Sequence, residues 1–519
     1  MFGNEYKNSV RTIVFQMQNA PIENGILEIQ YDRTFNADFS FLNESEYFGM
    51  LQLKMKKCKV SSAPLLFAFT IDKSGSMSNE DYENSRKTTK MDYVKDTFMN
   101  LVRYFVNTDA RIFIAVNTFN NDVESIIRPV ELNPSVMDAV IDKINGIDAD
   151  GSTDIGRAIS YTTQMIGEYK EKHPEHEVIH VFMSDGDPTA GIRSTSELGN
   201  IAKQCCCPNI FIGFGKEHNS HLLRHMSAIT TGDYQVVDNF EHTTMIFGQM
   251  IHPFLYPVIK HPRLEIKNGW IYDWRIGQWV TGINEHLFSS EESKIYQIKT
   301  ETPETVQVFV YNGEDEEGSP ELFETLALPG LIDMNDMHVF DTTSSPDLRR
   351  YMFRQETQHL LYRAAECSLP GKIALCDDNG IRTAFAVDKN AKPIRKKMKN
   401  LFRRIREYMK TENLLADIFL ITLCDDISIA YNTMNTQNGA MYCSARQNSQ
   451  GRQQTVSITP KELNPVANQT MEDSIGDSDE EKTDTNISFY MPTGEYSTCF
   501  ASPSLMETFK SLSSQAPRS

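Results

Sequence analysis

Asp72, Ser74 and Ser76 follow directly on the apolar run Leu65–Ile71, in the stretch FTIDKSGSMSNED that covers residues 69–81. A carboxylate and two hydroxyls at alternate positions around Gly75 suit three chemistries: a phosphate loop, a serine nucleophile or a metal site. A phosphate loop needs the spacing GxxxxGK[ST]. Gly75 has no second glycine and no following lysine at that distance. A nucleophile elbow needs GxSxG, whereas Ser76 is followed by Met77 and Ser78. A further reading is that Asp72 and the serines only cap the next helix.

Two more segments bear on the choice. Asp150-Gly151-Ser152-Thr153-Asp154 precedes a helical pattern, and Val178–Met183 runs into Ser184-Asp185-Gly186-Asp187. The elements that hold these segments alternate in type between residues 65 and 256. Strand-like runs at Leu65–Ile71, Arg111–Val116, Val178–Met183, Ile210–Phe214 and Tyr234–Val237 are mostly apolar, and Val123–Val130 reads as a short edge strand. Between them, Thr89–Val106, Pro134–Ile144, Asp154–Tyr169, Ser194–Cys206, His221–Ile229 and Thr243–Leu255 show helical spacing, as in Met91, Val94, Phe98, Leu101 and Phe105. Fully apolar strands alternating with helices predict a mostly parallel, doubly wound α/β sheet covered on both faces. Ligands bind such sheets outside the carboxyl ends of the strands. That rule gathers Asp72, Ser74, Ser76, Thr153 and Asp185 on one rim. All five are oxygen donors, with no His or Cys among them, which suits Mg²⁺ or Mn²⁺.

Taken together, these residues resemble the metal-ion-dependent adhesion site of von Willebrand factor type A domains. The resemblance rests on Asp72-x-Ser74-x-Ser76, on Thr153 within Gly-Ser-Thr-Asp, and on Asp185 within Ser-Asp-Gly. It implies that Ser74 and Ser76 bind the metal directly and that Thr153 does so directly or through water. It implies that Asp72 and Asp185 act largely through water, and that one metal position is left for an Asp or Glu of a protein partner. A metal held by hydroxyls and water keeps excess positive charge and favours an anionic ligand.

The flanks extend the picture. Arg11–Gln16, Ile26–Tyr31 and Tyr47–Lys54 read as strands before the α/β unit, and Leu264–Ile266, Ile295–Ile298 and Thr305–Tyr311 as strands after it. This predicts a β-sandwich split between residues 1–60 and 258–335, with the A domain inserted at 61–257. Helical patterns follow at Asp347–Ala365, Pro393–Lys410 and Leu414–Met434, giving a helical region over 345–435 and a largely disordered tail over 436–519. The layout resembles proteins that join an A domain to the helical region called Vwaint. Plant RING-type ubiquitin ligases, proteins of large DNA viruses and, more distantly, inter-α-trypsin inhibitor heavy chains share it. The tail segment MYCSARQNSQGRQQ, 441–454, is similar to a Ser/Gln/Arg-rich element of that group. No Cys/His array for a RING is present, so ligase activity is not expected.

Composition bounds the partners. The 519 residues predict two to four domains, and a net charge of −19 argues against nucleic acid. No run approaches the roughly 20 apolar residues of a membrane helix. The N-terminus lacks an apolar signal core. Nine cysteines, Cys205-Cys206-Cys207 among them, suit free thiols inside the cell, with packing roles for the triplet. The helix 393–410 carries an apolar stripe and a basic face, which reads as a bundle helix with a solvated face or as a surface for an acidic partner. The acidic stretch 472–484 reads as disordered, or as an internal carboxylate donor to the metal or to that basic helix.

The leading expectation is therefore a non-enzymatic, metal-dependent protein-binding scaffold. An adaptor in a ubiquitin or chaperone complex is the alternative. A metal-dependent hydrolase is third, with His180 and His218 as the nearest candidate bases.

Overall fold

The computed structural model describes residues 10–15, 21–30, 36–59, 63–81, 88–185, 187–215, 218–230, 232–237, 250–312, 321–327, 348–367, 372–377, 380–385, 391–434, 439–452, 459–460 and 489–490. Three antiparallel strands come first: β1 (Val10–Phe15), β2 (Ile22–Gln30) and β3 (Tyr47–Met55). The α/β unit follows as β4 (Leu65–Asp72), α1 (Lys90–Val106), β5 (Ile112–Phe119), β6 (Val123–Glu131), α2 (Pro134–Asn145), α3 (Ile155–Lys172), β7 (Glu177–Ser184), α4 (Thr195–Ala202), β8 (Asn209–Phe214), α5 (Ser220–Ile229) and β9 (Asp233–Val237).

The central sheet has the order β9-β8-β7-β4-β5-β6, parallel except for the edge strand β6. Every residue of β4 is buried, as a strand covered on both faces requires. One face packs Phe67, Phe69, Phe98, Phe105 and Met183 together. The other packs Phe182, Phe211, Leu222 and Tyr234. The chain leaves β4 toward β5 on one side and later returns to β7 on the other. The carboxyl ends of β4 and β7 therefore flank the point where strand order reverses, the usual position of a ligand crevice.

After the α/β unit come β10 (Arg263–Lys267), β11 (Trp270–Asp273), β12 (Gln278–Val280), β13 (Gly282–Asn284), β14 (Ser293–Thr300), β15 (Gln307–Asn312) and β16 (Glu321–Ala327). They build two sheets, β1-β2-β3-β14-β11-β12 and β13-β10-β15-β16. Strand β3 pairs with the whole of β14, from Tyr47↔Thr300 to Lys54↔Ser293. Leu27, Leu51 and Leu53 share one apolar cluster with Leu264, Ile266, Val308 and Val310.

Among the described residues, four helices follow: α6 (Leu348–Cys367), α7 (Ala391–Thr411), α8 (Ile418–Thr433) and α9 (Gly439–Gly451). The apolar stripe of α7 faces inward through Ile394, Met398, Leu401 and Ile405. Its basic face is not wholly solvated, because Arg404 bonds Glu356 at 3.0 Å and lies over the Phe39 ring. Helix α9 lies inside the stretch expected to be tail, and the tail boundary at residue 436 is thereby moved. It escaped sequence reasoning because Ser444, Arg446, Gln447, Asn448, Ser449 and Gln450 are polar yet buried. Arg446 pairs with the buried Asp426 at 2.7 Å, and Asn448 donates to the Tyr234 carbonyl at 2.9 Å. Tyr442 and Met441 complete the α/β unit's second apolar face. The acidic stretch 472–484 and the expected helix start at 243–249 lie outside the described residues. Cys205 and Cys207, two apart, bring their sulfurs to 3.4 Å, while Cys206 is exposed. Among the described residues no helix is long and apolar enough to cross a membrane.

Candidate metal centre

The parallel register sets Asp72 beside Ser184. Ile71 pairs with Met183 and Asp72 with Phe119, so the next residue of β7 meets the end of β4. Asp72 is fully buried there. Its Oδ1 accepts from the Ser74 backbone N–H at 2.8 Å, a local Asx turn that bends the chain. Its Oδ2 accepts from the Ser184 hydroxyl at 2.6 Å. Burial pushes the Asp72 carboxyl up to about 6, with the nearby Asp185 charge adding to the effect.

Ser74 and Ser76 flank the start of a short 3₁₀ turn over Gly75–Ser78. Their hydroxyls are 3.2 Å apart, and Ser76 Oγ donates to Asp185 Oδ1 at 2.7 Å. The second loop is latched to the first by backbone. Gly75 N–H donates to the Gly151 carbonyl at 3.0 Å, and Asp150 N–H to the Lys73 carbonyl at 2.7 Å. Gly151 has φ +81°, a backbone conformation that favours glycine. Thr153 is buried. Its backbone N–H donates to Thr189 Oγ1 at 2.8 Å, and its carbonyl accepts from Thr189 and Ala190. Asp154 caps α3 by accepting from Arg157 N–H, which holds the loop at the helix start.

Asp72, Ser74, Ser76 and Asp185 thus form one hydrogen-bonded chain from β4 to β7, with the Thr153 loop bonded to it through Gly75. Two carboxylates and three hydroxyls are oxygen donors of the kind that could hold a hard divalent cation.

Sequence reasoning missed two neighbours. Ser184 hydrogen-bonds Asp72, and Lys90 Nζ reaches Asp185 Oδ2 at 2.5 Å. Lys90 did leave a signal. It is the first residue of α1, where the helix dipole disfavours a cation, and the capping box of Thr89 and Asp92 beside it shows that a helix starts there. The two candidate bases are engaged elsewhere. His180 sits in mid-strand between Thr70 Oγ1 at 2.9 Å and Asn209 Oδ1 at 2.8 Å. His218 bridges the Gly215 carbonyl at 2.6 Å and the Tyr234 hydroxyl at 2.5 Å.

Comparison with known proteins gives a local match. The family model of the von Willebrand factor type A domain matches residues 67–187. No curated protein matches the chain. Among solved structures, a von Willebrand factor type A protein from Catenulispora acidiphila is 14% identical with a TM-score of 0.46, over 73% of this chain and 96% of its own. The ArnB paralog VWA2 from Sulfolobus acidocaldarius is also 14% identical with a TM-score of 0.46, over 79% and 92%. The matched segment runs from β4 through the Asp185 loop and so contains the whole rim; the chain carries a von Willebrand factor type A domain.

Proposed function

We propose that this domain is a metal-dependent protein-binding module, in which Ser74, Ser76 and Thr153, backed by Asp72 and Asp185, hold Mg²⁺ or Mn²⁺. The observation that carries the reading is the hydrogen-bonded chain of Asp72, Ser74, Ser76 and Asp185 across the ends of two adjacent central strands. The bound ion would supply an open coordination position for a partner's Asp or Glu side chain. The chain's own residues do the positioning. Ser184 fixes one Asp72 oxygen and the Ser74 backbone fixes the other, so the carboxylate cannot rotate. Ser76 aims its hydroxyl by donating to Asp185. Burial is the main reason Asp72 resists ionising, with repulsion from Asp185 adding to it, and a divalent cation would favour the ionised carboxylate against both.

Binding is favoured over hydrolysis because His180 and His218 each have both ring nitrogens bonded within the fold. The shared β3–β14 ladder and apolar cluster support reading the flanking sheets as one discontinuous β-sandwich interrupted by the α/β unit. The helices after it support a Vwaint-type arrangement. An intracellular setting fits the described cysteines, which form no disulfide.

The test is calorimetric titration of the full chain with Mn²⁺, beside capture of partners with and without EDTA. Wild-type protein should take up one ion and retain partners only without chelator. Ser76→Ala and Thr153→Ala should lose the ion while keeping the fold. Unchanged Mn²⁺ uptake by the double variant would overturn the assignment.

A further inference from the structure

At the opposite end of β7 from Asp185, a single tight turn gathers metal-ligating side chains of another kind. Helix α3 ends at Lys172, and His173, Pro174, Glu175 and His176 lead into β7. The His176 N–H donates to the His173 carbonyl at 3.1 Å, closing the turn over Pro174 and Glu175. Such a turn puts its first and fourth side chains side by side. A proline at its second position fixes φ in advance. The His173 and His176 rings accordingly lie 4.9 Å apart, tilted by 30°. Glu175 Oε1 sits 3.3 Å from His176 Nε2. One ligand atom from each of the three residues lies within 4.8 Å of the others, and among the described residues this is the one such group of His, Cys, Asp and Glu.

We propose that His173, Glu175 and His176 form a binding site for Zn²⁺ or a similar late transition-metal ion, separate from the Asp72 rim. Ligands 2.0–2.1 Å from a tetrahedral ion stand roughly 3.3 Å apart, the separation already present between Glu175 and His176. The remaining contacts close by rotation of the His173 and Glu175 side chains; Glu175 is exposed and His173 half-buried. Two imidazoles and one carboxylate suit Zn²⁺ rather than Mg²⁺, which prefers oxygen alone.

The surroundings support the site. Tyr169, one helical turn before His173, bonds His176 Nδ1 through its hydroxyl at 2.6 Å. That bond leaves Nε2, the nitrogen facing Glu175, as the ligating atom, and such outer partners orient metal-binding histidines. Burial, with Glu175 close by, pushes Tyr169 up to about 12, so the phenol stays protonated. Burial also lowers the His176 pKa, favouring the neutral ring that ligates metal. Arg111 is a nearby cation, and its guanidinium is held by both oxygens of Glu131 at 2.8 and 3.0 Å. The C-terminal carbonyls of α3 add a partial negative charge at the same end, opposed by Lys170 and Lys172.

The experiment is calorimetric titration of the full chain with Zn²⁺ in excess Mg²⁺, which occupies oxygen sites and not imidazole sites. Wild-type protein should bind one Zn²⁺ equivalent. Glu175→Gln and His173→Ala should each lower its affinity by at least about tenfold, and Tyr169→Phe by about tenfold, with Mg²⁺ binding unchanged. Cobalt(II) loading should give visible absorption bands that vanish in His173→Ala. The proposal is overturned if wild-type protein takes up no Zn²⁺ in excess Mg²⁺. It is equally overturned if Glu175→Gln and His173→Ala bind Zn²⁺ with wild-type stoichiometry and affinity.

Discussion

Lys90 stands where a divalent ion at the rim would meet a competitor, and replacing it with methionine tests that relation. The ammonium is 2.5 Å from Asp185 Oδ2, with the lysine side chain 18% exposed and the carboxylate fully buried. Exposed ion pairs contribute about 0–1 kcal/mol, and breaking a buried one costs about 3–5 kcal/mol. The Lys90 pair lies between these limits, so Lys90→Met should destabilise the metal-free protein by about 1–3 kcal/mol. An ion held by Ser74, Ser76 and Thr153 would add two positive charges near this ammonium. Removing the ammonium should therefore tighten Mn²⁺ binding by a similar amount, about 5- to 150-fold. Linkage ties the two measurements together. The stability lost without metal, minus the stability lost in saturating metal, must equal the gain in metal-binding free energy. Urea unfolding with and without Mn²⁺ supplies the first pair, and calorimetry supplies the last. Unchanged or weaker Mn²⁺ binding in Lys90→Met, with the apo protein destabilised as expected, would refute the competition and make Lys90 a plain structural partner of Asp185.

Other perturbations read different parts of the molecule. Asp426→Ala should cost about 3–5 kcal/mol in urea unfolding, because it strands the buried Arg446 that pairs with Asp426 at 2.7 Å. Tyr442→Ala should cost about 3–5 kcal/mol by opening a cavity in the cluster that α9 completes, with the loss appearing also in thermal unfolding of the α/β unit. Burial holds His218 down to about 4. Its folded pKa lies below the unfolded value of about 6.5, so its contribution is fully present above that pH and is lost as pH falls toward about 4, by up to about 3 kcal/mol. His218→Gln should flatten that part of the acid limb in a pH series of unfolding midpoints, and an unaltered limb would assign the loss to other groups.

The rim was legible in the sequence because each donor follows an apolar strand or opens a helix. Asp72 and Asp185 cap fully buried runs whose order and type demand a parallel sheet. The site partners were harder to read. Ser184 looks like one more small polar residue until the β4–β7 register places it on Asp72. Lys90 is 18 residues from Asp72 in sequence and reaches the rim only because α1 starts beneath it. The flanking segments that form β3 and β14 read as strands of a β-sandwich split by the α/β unit, but which strand pairs with which, and in what register, is a tertiary fact. Helix α9 was illegible for a different reason. Its buried residues are satisfied by partners such as Asp426, the Trp274 carbonyl and the Tyr234 carbonyl, and these lie far away in the chain.

The position of α9 also bears on how the chain is made. A ribosome releases β9 about 200 residues before Tyr442, and at roughly 5–20 residues per second that interval is about 10–40 s. Through it the face formed by Phe182, Phe211 and Tyr234 waits without its last cover. Strand β3 waits comparably long for β14, with its pairing edge open. The middle of this protein is therefore finished by segments synthesised well after it. A nascent chain stalled before residue 439 should engage holding chaperones more strongly than one stalled after residue 452.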